Sequence, residues 1–101
     1  MTLDNISKLC SDHLREIYSS SENGKFKASH AREIVAAFFG YKTHSALLFD
    51  DSICNLECLR YVGKNKELIE KRLTKLNGLP KNLTNAEIIQ EDLIKFLHTI
   101  M

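Results

Sequence analysis

Apolar residues recur along much of this chain at intervals of three and four, the period of a helix with one buried face. The clearest run lies between Ser29 and Asp50, where Ala31, Ile34, Val35, Phe38 and Phe39 fall at i, i+3, i+4, i+7 and i+8. Ser29 stands where an N-cap hydroxyl takes an orphan backbone N–H. Gly40 follows the stripe, at the C′ position where a left-handed residue closes a helix without a Cβ clash. Thr43 then offers a fresh N-cap to a short helix carrying Ala46, Leu47 and Leu48. The pattern predicts a helix-turn-helix-like hairpin with both Phe38 and Phe39 in the core.

Ahead of the hairpin, a helix is expected from Asp4 to Ser19 with Ile6, Leu9, Cys10, Leu14 and Ile17 facing inward. The small polar residues from Ser19 to Gly24 read as a loop. After Asp50 the signal divides: residues 53–63 suit either a helix holding Leu56, Leu59 and Tyr61 or a short extended segment ended by Gly63. Asn65 is positioned to cap a helix with Leu68, Ile69, Leu73 and Leu76 inward, stopped by Gly78 at C′ and Pro80 beyond. Thr84 and Glu87 have capping-box spacing, with Leu83 set to staple against Ile88. A last helix then buries Ile89, Leu93, Phe96, Leu97 and Ile100. The expectation is an all-α bundle of five to six helices, one domain over residues 1–101.

Composition narrows the function classes. A chain of 101 residues, 44% hydrophobic, can bury one modest core. Its net charge of +1 marks neither a general polyanion binder nor an acidic tail. The N-terminal segment lacks the basic start and apolar run of a signal peptide, and no apolar run approaches the ~18 residues of a membrane span. Three cysteines, an odd number without an export signal, suit reduced cytoplasmic thiols.

The hairpin invites a test for DNA binding. Ala36, Gly40 and Ala46 are small enough for two helices to cross closely, which would put Tyr41, Lys42 and His44 at the start of a recognition helix. Charge argues against it: residues 25–59 balance four cations with four acids, and Asp50 and Asp51 would end that helix against a polyanion. The basic concentration lies further on. From Arg60 to Lys81 seven cations, among them Lys64, Lys66, Lys71 and Arg72, meet two acids for a segment charge of +5. Such a segment suits an acidic partner or phosphate, and equally a solvated helix face with Glu67 and Lys71 paired at i, i+4.

Cys54 and Cys58 are spaced Cys-x3-Cys without a second Cys or His pair, so small core thiols explain them and no metal or cofactor is expected. His30, His44, Ser29 and Ser45 are framed by no nucleophile elbow and no carboxylate pair, and every glycine falls at an element end rather than in a phosphate loop. An enzyme is not expected.

Residues Ser29-x-Ala31-x-Glu33-Ile-Val-Ala-x3-Gly40-Tyr41-Lys42, with Leu47 beyond, resemble a short helical segment of bacterial proteins described as glyoxalase-related. The resemblance covers about residues 29–47, and His44 stands where that pattern has an aromatic residue. It implies hairpin geometry and a bacterial origin. It implies no lactone or glutathione chemistry, since nothing here corresponds to the metal-binding βαβββ module of true glyoxalases. The resulting expectation is a small, non-enzymatic bacterial protein that acts through protein–protein contact. Its binding surface is expected at Tyr41, Lys42, His44, Lys64, Lys66, Lys71 and Arg72. The alternative is a helix-turn-helix regulator that binds nucleic acid.

Overall fold

A computed structural model describes residues 3–18, 26–48, 64–76 and 85–100. These form α1 (Leu3–Tyr18), α2 (Ala28–Phe38), α3 (His44–Leu48), α4 (Lys66–Lys75) and α5 (Ala86–Ile100), with no strand among them. The Cα radius of gyration is 12.6 Å. A folded chain of this length is expected near 13 Å and an unfolded one near 30 Å, so the helices share one core. The all-α bundle predicted from the sequence is what forms. Residues 53–63, whose helical or extended character the sequence left open, lie outside the described residues, as do the cysteines at 54 and 58.

α2 is the centre of the bundle, packed against α1, α3 and α4, while α5 closes the far side against α1 and α4. Its Ala31 and the unbroken run from Ile34 to Phe38 are buried, so its second half has no solvent face. Phe39 is only partly buried and packs against the core edge, its ring meeting Phe38 edge-on at 5.1 Å. The two phenylalanines therefore do different work, against the expectation that both lie inside.

The start of α2 also departs from expectation. Ser29 is an exposed residue of the first turn, and the N-cap position belongs to Lys27, whose side chain makes no capping bond. The reason is the preceding residue. Phe26 is fully buried, and its carbonyl accepts a hydrogen bond from Arg15 Nε of α1 at 3.1 Å. That anchor starts the helix two residues early, before the serine can cap it.

In α1 the inward face comprises Ile6, Ser7, Cys10, Ser11, Leu14 and Tyr18, whereas Leu9 and Ile17 are 39% and 44% exposed. The face is rolled toward two serines, and the Ser11 hydroxyl is satisfied locally by donating to the Ser7 carbonyl at 2.9 Å. The α5 stripe is as expected, with Ile89, Leu93 and Leu97 buried and Phe96 and Ile100 partly so. Its cap is not. Asn85 Oδ1 accepts the N–H groups of Glu87 at 2.9 Å and Ile88 at 3.2 Å, taking the role assigned to Thr84. Ile88 is 55% exposed rather than stapled inward, and residues 83 and 84 lie outside the described residues. α4 buries Ile69 and half-buries Leu68, Leu73 and Leu76, and ends at Lys75, ahead of positions 78 and 80, which are likewise not described.

Candidate binding cleft

The end of α2 is built by hydrogen bonds that the sequence specifies through one glycine. Gly40 has φ +93°, and its N–H donates to the Ala37 carbonyl at 3.0 Å while the Tyr41 N–H donates to the Ala36 carbonyl at 2.9 Å. This is a Schellman closure, which needs a residue free of Cβ at C′. The next carbonyl is satisfied from a distance. Asn65 Nδ2 donates to the Phe38 carbonyl at 3.0 Å, across 27 residues of sequence. Asn65 does stand at the N-cap position of α4, yet its side chain makes no capping bond there and its amide nitrogen donates to α2 instead.

Beyond the turn, Thr43 caps α3 as expected: its Oγ accepts the Ala46 N–H at 3.1 Å. Only Leu47 of the five-residue α3 is buried, because one turn of helix offers one inward position. The orphan N–H of His44 points at Glu33 of α2, whose two carboxylate oxygens each lie 3.3 Å away. The same carboxylate faces Arg72 of α4, with Nη2 to Oε2 at 3.7 Å and side chains 21% and 28% exposed. Glu33 thus joins three helices. Its carboxylate also takes the orphan N–H at the α3 start, where an anion is favoured.

These ties bring the turn and α4 face to face around a cleft of about 260 Å³. Tyr41 and Lys42 form one wall, Leu68, Lys71, Arg72 and Lys75 the other, with Ala37 at the base. Four of the seven residues expected at the binding surface therefore share one site: Tyr41, Lys42, Lys71 and Arg72. Tyr41 is half-buried against the core and Lys42 is exposed. Thus Tyr41 packs inward while its edge still borders the cleft.

The other three lie elsewhere. His44 is half-buried, and its Nδ1 is enclosed with no hydrogen-bond partner among the described residues, so the ring turns in rather than out. Lys64 is exposed ahead of α4. Lys66 sits toward α5, 3.9 Å from both Glu70 and Glu87, in a separate shallow depression. Lys75 was counted in the basic segment but not in the surface, although its i, i+4 spacing from Lys71 puts both on one helical face. Glu33 and Asn65 had no local signal at all, since each acts on a helix distant in sequence.

On the opposite side, His13 of α1 stacks on Phe96 of α5 at 4.0 Å and meets Asp92 at 3.1 Å. Burial first, and then the charge of Asp92, raise the Tyr18 phenol above its ordinary value of 10.0. No trio of His, Cys, Asp or Glu among the described residues is placed to hold a metal ion. No described helix is long and apolar enough to cross a membrane. Compared with known proteins, the chain matches no family model, no curated protein and no solved structure. The resemblance at residues 29–47 accordingly rests on those residues alone.

Proposed function

We propose that this is a non-enzymatic binding protein of the bacterial cytoplasm, acting through protein–protein contact at the cleft between the Gly40 turn and α4. One observation carries the reading. Tyr41 and Lys42, read as exposed by the turn, and Lys71 and Arg72, read as part of a basic segment, converge on a single cleft with mixed apolar and cationic walls. Its 260 Å³ falls below the range of about 300–1,000 Å³ that encloses a drug-sized ligand. That volume suits one or two side chains of a partner better than a cofactor. Tyr and Arg are also the residue types that most often anchor protein interfaces.

Nucleic-acid recognition is the weaker reading for a structural reason. α3 has five residues, and Glu33 already occupies its start, where a recognition helix meets phosphate or base edges. On α4 the acids Glu67 and Glu70 border Lys71 and Lys75, so a duplex laid along that face meets both signs of charge.

The test is charge reversal at two exposed cleft positions, Lys42→Glu with Lys75→Glu. Surface changes of this kind leave stability within about 0.5 kcal/mol. Proteins that co-purify with the wild-type chain from its host should be lost with the variant. Retention of the same proteins places the contact elsewhere. A parallel gel-shift assay on duplex DNA at two salt concentrations tests the alternative, because a steep loss of binding as salt rises is the mark of phosphate contact.

A further inference from the structure

The cleft has a sign as well as a shape. Four of its lining residues are cations, and among the described residues no acid lines it. The acid nearest in function is Glu33, which reaches Arg72 from behind at 3.7 Å, longer than a hydrogen bond, while both its oxygens face the His44 N–H. Resting on the reading above, we propose that the partner presents a carboxylate-bearing segment to this cleft. In this arrangement Glu33 is a built-in competitor that sets the affinity by partly neutralising Arg72.

The chemistry follows from the arrangement. A carboxylate entering between Lys42 and Lys71 finds Arg72 and Lys75 within the same cleft, while Leu68 and the Tyr41 ring offer apolar surface to the methylenes of a Glu side chain. Arg72, with 21% of its side chain exposed, is more buried than the exposed Lys42, Lys71 and Lys75, so its charge is the least screened by water of the four. Glu33 opposes the incoming charge at that same guanidinium. It stays in place because its carboxylate also holds the start of α3. An acidic segment must therefore outcompete the protein's own carboxylate, a repulsive element of the kind that separates strong acidic partners from weak ones.

The experiment measures fluorescence anisotropy of a labelled hexaglutamate peptide titrated with the full chain. A hexalysine peptide and a short DNA duplex serve as separate probes, and inorganic phosphate is the competitor. The wild type should bind hexaglutamate and not hexalysine, weakening as salt rises. Glu33→Gln should tighten that binding by about three- to tenfold, the scale of one partly buried like-charge contact. Glu91→Gln, an exposed acid on α5 away from the cleft, should change it less than twofold.

Arg72→Gln keeps the Glu33–His44 contact and should weaken binding. Adding Glu33→Gln to Arg72→Gln should then restore little, because the two changes act through one contact. Unchanged or weaker hexaglutamate binding in Glu33→Gln, with the fold intact by circular dichroism, overturns the competitor role. If Glu33→Gln fails to fold, equal peptide affinity of Arg72→Gln and wild type overturns it instead. Tighter binding of the duplex than of the peptide, or displacement of the peptide by millimolar phosphate, overturns the carboxylate assignment. Loss of host proteins on Lys42→Glu with Lys75→Glu, alongside no hexaglutamate binding, leaves the cleft as the contact and refutes only the acidic partner.

Discussion

Replacing Gly40 by alanine probes the turn that positions one wall of the cleft. Two separate costs can be worked out from the geometry. The first is backbone strain: φ is +93°, and holding an L-residue in the left-handed region costs about 1–2 kcal/mol. The second is steric. A Cβ at position 40 would stand 3.3 Å from Asn65 Nδ2 and 3.4 Å from Asn65 Oδ1, so the amide must give way by a few tenths of an ångström. That same amide donates to the Phe38 carbonyl at 3.0 Å, and weakening such a bond removes about 0.5–1.5 kcal/mol. Together the loss is about 1.5–3.5 kcal/mol, a large part of the ~5–15 kcal/mol that holds a typical domain together. Urea unfolding followed by circular dichroism should show a lower midpoint with an unchanged slope. An Asn65→Ala background separates the terms: there Gly40→Ala should cost only the backbone share, about 1–2 kcal/mol. A loss below about 0.5 kcal/mol in the wild-type background would refute the strained turn, and equal losses in both backgrounds would refute the steric coupling to α4.

Two further outcomes follow from burial. Phe38→Ala should cost about 3–5 kcal/mol as a fully buried phenylalanine. Phe39→Ala should cost about 1–2 kcal/mol, part of what full burial contributes; equal losses by thermal unfolding would show that the second ring is as deep as the first. For Tyr18 the folded value lies above the ordinary 10.0, so the unfolded chain releases its phenol proton first. Stability should therefore hold below that pH and fall as pH rises from 10.0 through the folded value, and Tyr18→Phe should flatten this alkaline arm of a pH–stability curve.

Helix periodicity made most of the fold legible because it is a local property. The stripes of α2, α4 and α5, the glycine turn at 40 and the Thr43 cap all depend on residues within one or two turns of each other. Where the reading slipped, a distant partner decided. Ser29 lost the cap because Phe26 and Arg15 anchor the start of α2. In α1, Ser7 and Ser11 were buried in place of Leu9 and Ile17, with the Ser11 hydroxyl donating to the Ser7 carbonyl, an exchange that hydrophobicity alone does not foresee. Asn85 outcompeted the capping box by standing one residue closer to the helix. At the cleft, residue types and charge pointed to the turn and to α4 separately. Their meeting depends on Glu33 and Asn65, whose partners are far away in sequence, and so it appeared only in three dimensions.

The burial of α2 from Ile34 to Phe38 bears on how this protein can change over generations. Five consecutive positions there are buried, two of them alanines, and only Ala37 borders the cleft, so a polar side chain at the others would be buried without a partner. Sequence drift in that run is confined to near-isosteric exchanges. α4 is the opposite case, since Ile69 is its one buried residue and most of its charged positions reach water. Charges there can be gained, lost or reversed at little cost to folding, so the charge of that cleft wall can change while the helix behind it stays fixed.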